Sequence, residues 1–311
     1  YVVVEMFQFI LVGRRLRRET GTRSSLTLLD YFEHRFDRGG SLLRVTGAAI
    51  ITLFMTAYVA AQFNAAAKSL EAATALDFEL GLLASAVLVL VYMVMGGFVA
   101  VVYNDAIRAG LMLLGLVVLP AAAIIRLGGL DILLHALDQL DPRLLDPWAF
   151  GWGVVVAYLG IGLGSPGQPH ILARYMSIDA PAHLGLSAVG GTGWNVVLGW
   201  GAVFVGLAGR AFFPDPSSLP LKGGEGDPET AFLMLSSELF GPLFYGLLVG
   251  GLFAAILSTV DSQLLVVSST IVQDIYAKVI RKGREPGEAR ALRLSRVVLV
   301  ACGAAACLLA W

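Results

Sequence analysis

The chain has 311 residues, of which 57% are hydrophobic and 14% are charged, and its formal net charge is -1. A soluble domain carries about 25% charged residues, so these charges are too few to cover a water-soluble protein of this length. The net charge says nothing about nucleic acid, and no basic stretch resembles a nucleic-acid-binding arm. The composition therefore indicates that a lipid bilayer is much of the solvent.

Apolar segments of membrane-spanning length recur along the whole chain. A membrane helix needs about 20 mainly apolar residues, and open strands are not tolerated in lipid. We therefore predict an all-α integral membrane protein with about eight transmembrane helices, and we expect the first and last to be cut short. The chain is interpreted as one transporter domain, residues 1–311, truncated at both ends. The predicted spans are about 1–12, 43–66, 80–102, 106–127, 149–171, 184–212, 242–273 and 291–311.

The segments between the spans predict the orientation and three surface elements. If residues 13–42 are cytoplasmic, 17 of the 22 Lys and Arg residues fall on the inner side, as the positive-inside rule requires. Segments 13–42 and 276–290 are then cytoplasmic, in the cell inner (plasma) membrane. We also predict a short amphipathic helix at 24–37, a surface helix within 128–148 and exposed turns at 213–230.

The span at 149–171 contains a break signal. Its stretch Gly160–Pro169 holds four glycines and two prolines. Proline removes a backbone donor and glycine weakens a helix, so we predict that the helix unwinds here. Transporters use such breaks to present backbone groups to substrates and ions. A simple kink, or a span that ends early near Gly164, is the alternative.

A group of small and hydroxyl residues lies on the span at 242–273. Ala255, Ser258 and Thr259 have the spacing i, i+3 and i+4, so they share one helix face. Their hydroxyl and carbonyl oxygens are suited to a hard monovalent cation such as sodium. The alternative is that both hydroxyls bond back to a carbonyl one turn earlier.

Two acids are candidates for an ion pathway. Asp261 lies inside the span at 242–273, and an acid at membrane depth is a functional candidate by default; a cytoplasmic water cavity is the other environment that suits it. Asp105 follows the apolar run at 98–103, and we expect it to be a solvated loop acid at the cytoplasmic mouth.

Five motifs, in this order along the chain, resemble signatures of the sodium:solute symporter family, and above all of its bacterial sodium/proline symporters. The resemblance covers nearly the whole chain. The motifs are Leu26–Phe32 (LTLLDYF), Gly96–Asp105 (GGFVAVVYND), Gly167–Met176 (GQPHILARYM), Ala254–Leu265 (AAILSTVDSQLL) and Asp274–Tyr276 (DIY).

The resemblance implies a LeuT-like core of two inverted five-helix repeats, of which this chain holds the second to the ninth helix. It implies a sodium site at the Ala255 carbonyl and the Ser258 and Thr259 hydroxyls. The implied function is sodium-coupled symport of a small organic solute, with the lipid bilayer as environment. Sodium is the coupling ion, and no organic cofactor, nucleic acid or obligate protein partner is expected.

The resemblance also implies a substrate site. Tyr92 matches a tyrosine that proline transporters of the family use, whereas Ile161 and Ser165 stand where those transporters have a tryptophan and a tyrosine. Gly164 and Gln168 of the break complete the implied site. Loss of both aromatic rings removes a stacking surface, so a small carboxylate or another solute stays open beside proline and other small amino acids.

Three other functions stay open at this point. One is an intramembrane enzyme or sensor that uses Asp261 and His170, although no catalytic motif is present and we predict that the protein is not an enzyme. The second is a channel, and the third is a symporter driven by protons rather than sodium.

Overall fold

The structure is a computed structural model of the whole chain. It describes residues 2–23, 25–36, 40–74, 76–146, 148–149, 151–215, 221–222, 225–284 and 286–311. Residues 216–220 and 223–224 of the predicted turn segment lie outside the described residues.

The first part of the chain is helical. A continuous helical stretch consists of α1 (Val2–Phe7), a π-helical turn (Gln8–Gly13) and α2 (Arg14–Thr22). The amphipathic helix expected at 24–37 is confirmed as α3 (Leu28–Phe36). The other helices of this part are α4 (Gly40–Ala73), α5 (Phe78–Leu127) and α6 (Leu130–Leu140).

The second part contains a broken helix and three long ones. The break is a 3-10 turn, Ser165–Gly167, between α7 (Trp152–Gly164) and α8 (Pro169–Ser177). The end of α11 (Pro242–Ser269) continues as a π-helix, Thr270–Ile280. The only strands in the described residues are β1 (Leu221–Lys222) and β2 (Glu225–Gly226), an antiparallel pair. The helices are α7 (Trp152–Gly164), α8 (Pro169–Ser177), α9 (His183–Phe212), α10 (Ala231–Leu239), α11 (Pro242–Ser269) and α12 (Glu288–Ala310).

Six helical segments among the described residues are long and apolar enough to cross a membrane. The predicted spans at 80–102 and 106–127 lie in one continuous helix, α5, because the sequence between them contains no proline to interrupt the backbone hydrogen bonds. Within α5 the apolar stretch is divided into two windows, Phe78–Gly96 and Tyr103–Leu127. The broken span and the stretch at 1–12 are shorter, so the predicted count of eight is approximate.

The core is formed by α4, α5, α11 and α12, which pack on one another through buried side chains such as Phe63, Val89, Val260 and Leu299. A second cluster joins α5, α9, α10 and α11. Lipid gives little hydrophobic drive between helices, so close backbone approach has to hold them together. At Gly201 a Cβ atom would lie 2.1 Å from the Leu116 carbonyl oxygen, which only glycine permits.

Helix α3 is anchored to the predicted cytoplasmic ends of α4 and α11. The Asp30 carboxylate accepts a hydrogen bond of 2.8 Å from Arg44 and another from Lys278. Arg44 also donates to Asp274, whose carboxylate accepts a 2.8 Å bond from the Thr27 hydroxyl. These ion pairs connect three segments, namely α3, the start of α4 and the π-helix Thr270–Ile280, and they hold the amphipathic helix against the membrane domain.

Candidate functional site

The predicted break in the span at 149–171 is confirmed. Helix α7 ends at Gly164, and Gln168 has an extended backbone (φ -73°, ψ 119°) before α8 begins at Pro169. The Gln168 amide donates to the Ser165 carbonyl at 3.1 Å, which closes the 3-10 turn. Pro166 and Pro169 each lie in the first turn of a new helical segment, where the missing donor costs nothing.

The implied substrate residues in this break have different environments. Ile161 is 64% exposed, whereas Ser165 is 1% exposed. The Ser165 hydroxyl donates to the Gln8 side-chain oxygen at 3.4 Å, and the Gln8 amide donates to the Ser165 carbonyl at 3.4 Å. Ser165 is therefore held by Gln8, a buried residue at the start of the π-helical turn after α1.

Gly164 and Gln168 line a largely apolar cavity of about 910 Å³. Its other walls come from α2, α3 and α4, with Arg15 and Thr46 among its few polar residues. The break thus borders an open space on the predicted cytoplasmic side of the helices that surround it.

The Ser258 and Thr259 hydroxyls both lie within hydrogen-bond distance of the Ala255 carbonyl. The Ser258 hydroxyl donates to the Ala255 carbonyl at 2.8 Å, and the Thr259 hydroxyl donates to the same carbonyl at 3.3 Å. Both hydroxyls are therefore back-bonded, the alternative considered from spacing. The same arrangement brings three oxygens together on the half-buried face of α11, and a small cation can coordinate them if the two hydroxyl protons rotate away.

Tyr92 contacts an acid rather than the helix break. Its hydroxyl donates to the Asp261 carboxylate, and the Arg108 guanidinium lies 5.2 Å from the centre of its ring. Arg108 also donates to Asp261 at 2.5 Å. Asp261 is fully buried, so this acid, predicted inside the span, has its charge neutralised by a guanidinium from α5.

The expectation for Asp105 as a solvated loop acid is wrong. Asp105 lies inside the continuous helix α5, and its side chain is 13% exposed. Arg174 of α8 donates to the Asp105 carboxylate at 2.5 Å and also to the Ser262 hydroxyl at 2.5 Å. The Asp105 carboxylate is therefore paired with Arg174 rather than solvated in a loop.

The hydrogen bonds of Asp105 and Arg174 continue to the backbone of Ser258. The Ser262 hydroxyl donates to the Ser258 carbonyl at 3.0 Å, so hydrogen bonds lead from Asp105 through Arg174 and Ser262 to the backbone of Ser258. Arg174 and Ser262 also line a cavity of about 240 Å³ that reaches Asp274. Hydrogen-bonded polar groups therefore lead from the Ser258 backbone toward the predicted cytoplasmic side.

Sequence reasoning missed Gln8, Arg108, Arg174 and Ser262 as site residues. Arg108 and Arg174 belong to the basic residues that the charge bias assigns to the inner side. A signal for Arg108 was present, since it follows Asp105 by three positions on one helix face. Gln8 was a polar residue inside the apolar run at 1–12, which is a weaker signal of the same kind.

The family model of the sodium:solute symporter family matches residues 1–311. The chain belongs to this family. It is 34% identical over 277 residues to the osmoregulated proline transporter OpuE of Bacillus subtilis, an alignment that covers 88% of this chain and 55% of that protein. It is 35% identical over 274 residues to the sodium/proline symporter of Escherichia coli, covering 88% of this chain and 54% of that protein.

The fold of this family member is LeuT-like. A solved structure of a Na+-coupled sialic acid symporter, in a substrate-bound outward-open state, matches 99% of the chain and 70% of its own chain with a TM-score of 0.79 and 18% identity. The helices, the family match and these relatives make the chain a multi-pass membrane protein. The chain spans about half the length of the curated relatives it matches.

Proposed function

We propose that the protein is a secondary active transporter, not an enzyme, that couples the entry of sodium to the uptake of a small organic solute. One observation carries the proposal. The Ala255, Ser258 and Thr259 oxygens converge within hydrogen-bond distance on a half-buried face of α11. In the same bundle, the span at 149–171 is broken at Gln168.

In this proposal sodium is transported together with the solute, and it drives transport because it binds one conformation of the protein more tightly than the other. The Ser258 and Thr259 hydroxyls turn their lone pairs to the ion, and the Ala255 carbonyl accepts it as a third ligand. An ion can drive a conformational change only if it binds one state more tightly than the other. At about 100 mV, each charge that crosses the membrane adds about 2.3 kcal/mol, and no covalent step is needed.

Two observations bear on the solute. The OpuE and Escherichia coli relatives are named as proline transporters, which favours proline or another small amino acid. Ile161 is exposed beside the break, and with Gly164, Ser165 and Gln168 it forms one side of the proposed solute site. Tyr92 would then act at its far end through Asp261. A small carboxylate is the second candidate because this break lacks an aromatic ring.

The polar route from Ser258 through Ser262 and Arg174 to Asp105 supports an ion pathway on the inner side. Asp105 and Asp261 are held by Arg174 and Arg108 at 2.5 Å. We propose that both pairs separate when the ion passes, because a sodium ion can then take the place of a guanidinium beside each carboxylate. In this proposal Asp105 and Asp261 are pathway residues, and an arginine balances the charge of each carboxylate while no ion passes.

The remaining elements of the proposal concern placement. The chain forms a single transmembrane domain, with residues 13–42 and 276–290 in the cytoplasm of a cell whose inner (plasma) membrane holds the protein. It works with sodium, solute and lipid, and it requires no organic cofactor and no obligate protein partner. Cysteine scanning with a membrane-impermeant thiol reagent in intact cells tests the orientation. The variants Thr22→Cys and Lys282→Cys should be labelled only after the cells are permeabilised.

A solute screen in proteoliposomes tests the function. Labelled proline, other small amino acids and small carboxylates are offered under an inward sodium gradient and under equal sodium. Uptake of at least one solute above its external concentration, only with the gradient, is the expected result. Equal uptake in sodium-free buffer with a pH gradient would favour protons instead, and solute flow that never exceeds equilibration would favour a channel.

A further inference from the structure

A carboxylate lies on α1, within the predicted span at 1–12 and away from the ion route. Glu5 belongs to α1, and the same helical stretch reaches its first arginine, Arg14, nine residues later. At 1.5 Å per residue this is about 13 Å. Arginines gather where a span meets the inner aqueous side, so Glu5 lies well within a hydrocarbon core about 30 Å thick.

The partner of this carboxylate is neutral. The Asn195 side-chain amide donates a hydrogen bond to a Glu5 oxygen. Asn195 lies near the middle of α9, twelve residues after His183 and fifteen before Arg210. Among the residues that the structure describes, no Lys, Arg or His nitrogen comes within 4.0 Å of the Glu5 carboxylate.

Asp261 and Asp105 differ from Glu5 in this respect. Asp261 is paired with Arg108, and Asp105 is paired with Arg174. An ionisable group inside a membrane is costly unless its charge is compensated. Glu5 has an amide that fixes its orientation, and no cationic side chain among the described residues pairs with it, so a cationic group of the solute would complement it.

Glu5 also lies one helical turn from the break. Gln8 follows it by three positions, so both side chains are on the same helix face with Cβ atoms about 5–6 Å apart. Gln8 is the residue that holds Ser165 of the 3-10 turn. The carboxylate is therefore a neighbour of the proposed solute site and is separate from the Ala255, Ser258 and Thr259 oxygens on α11.

We propose that Glu5, oriented by Asn195, binds the ammonium group of the transported solute and so selects amino acids over carboxylates that lack an amine. An ammonium group donates hydrogen bonds, and one carboxylate can accept them. A sodium ion needs a shell of several oxygens, whereas Asn195 presents N–H groups here. This role rests on the proposed function, and it assigns the solute class to that same site.

Two matched pairs of labelled solutes test the proposal in proteoliposomes that contain the full-length protein. L-Proline is compared with tetrahydrofuran-2-carboxylate, which has the same ring and carboxylate without the amine, and L-alanine is compared with L-lactate. The variants are Glu5→Gln, Glu5→Asp and Asn195→Ala. Glu79→Gln, an exposed acid in the first turn of α5, is the control.

For wild type we expect sodium-driven uptake of an amine-bearing member and little uptake of its partner. Glu5→Gln should raise the KM for that solute about 10-fold to 100-fold, the range for a hydrogen bond to a charged group, with the sodium requirement unchanged. Glu5→Asp and Asn195→Ala should give smaller rises, and Glu79→Gln should match wild type.

Other results overturn the role of Glu5. An unchanged KM in Glu5→Gln does so, and so does equal transport of the amine-free partner by wild type. If Glu5→Gln is not recovered in folded form, Glu5→Asp and Asn195→Ala decide instead, since wild-type KM values in both contradict the proposal. If wild type takes up none of the four solutes while the wider screen finds a sodium-driven solute without an amine, this inference fails and the proposed function stands; if the wider screen finds no sodium-driven solute at all, the proposed function itself fails.

Discussion

The Arg108 guanidinium and the Asp261 carboxylate form an ion pair of 2.5 Å between α5 and α11. Asp261 is fully buried, and the Arg108 side chain is 13% exposed. The pair lies one helical turn from Ser258, the central residue of the proposed sodium site. A permanent charge this close to a cation site affects both the stability of the bundle and the binding of the ion.

Removing the arginine alone should destabilise the protein strongly. Arg108→Gln leaves a buried carboxylate without a counter-charge, and losing one partner of a buried pair costs about 3–5 kcal/mol. The double variant Arg108→Gln, Asp261→Asn should recover most of this loss because no unpaired charge remains. Thermal unfolding in detergent measures both effects.

The control for this pair is Arg143→Gln, which breaks an exposed pair with Asp141. Exposed ion pairs contribute little because water and salt screen them, so this variant should unfold like wild type. If Arg108→Gln were equally harmless, the buried pair would have no role in stability.

The proposed sodium ligands predict a specific kinetic change. Ser258→Ala with Thr259→Ala removes two of three oxygens, so the sodium concentration for half-maximal uptake should rise about 10-fold or more, since each 1.4 kcal/mol is about tenfold. The solute KM at saturating sodium should change much less. Sodium titrations of labelled uptake measure both values.

A matched pair of hydroxyls controls for the loss of back-bonding. Ser69 and Thr74 donate to the Ala65 and Leu70 carbonyls at 2.7 Å, far from the proposed site. Their double alanine variant should keep the wild-type sodium requirement. An unchanged requirement in the Ser258 and Thr259 variant as well would remove the ion from this site.

The buried position of Ser165 predicts how a larger side chain acts. Ser165→Tyr cannot fit in a site that is 1% exposed, so it must displace Gln8 and reshape the break. Solute preference should therefore change more than the sodium requirement. Competition of unlabelled solutes against labelled uptake measures preference, and an unaltered order of preference would show that Ser165 has no part in the solute site.

The cytoplasmic ion-pair cluster predicts a pH dependence of stability. Burial alone would raise the pKa of Asp30, but Lys278 and Arg44 outweigh it and hold the pKa below its ordinary value of 3.8. A depressed carboxyl pKa stabilises the folded state above the ordinary value, and this stabilisation is lost as the pH falls through the folded pKa. Asp30 should therefore stabilise the protein at neutral pH.

The comparison of wild type with Asp30→Asn tests this. Their difference in Tm should be constant from about pH 8 to about pH 5 and should shrink only as the pH falls below the ordinary carboxyl pKa. Glu33, whose side chain is 40% exposed, provides Glu33→Gln as a milder control. A difference that already disappears near neutral pH would contradict a depressed pKa.

The sequence predicted the features that depend on local chemistry. Glycine and proline act on their own turn of helix, so the break near Gln168 could be located from Gly160–Pro169 alone. Helical spacing likewise predicted that Ala255, Ser258 and Thr259 share a face. The membrane-length helices and the two surface helices at 28–36 and 130–140 follow from apolar length and periodicity.

Features that depend on tertiary packing could not be predicted in this way. Arg108 and Asp261 are 153 positions apart, and Gln8 and Ser165 are 157 apart, so no local pattern contains either contact. Asp105 resembled a loop acid because it follows an apolar run, but the helix continues through it and Arg174 pairs with its carboxylate. The position of Tyr92 beside Asp261 depends on the same packing.

Simultaneous measurement of the sodium flux and the solute flux tests most directly whether the protein couples the two. Liposomes that contain the purified full-length protein are placed in a buffer with radioactive sodium. Sodium entry is recorded before and after addition of the transported solute. Coupling through the Ala255, Ser258 and Thr259 oxygens predicts that the solute accelerates sodium entry in fixed proportion to its own uptake. Sodium entry that is indifferent to the solute, while solute uptake continues, would contradict a sodium-coupled symporter.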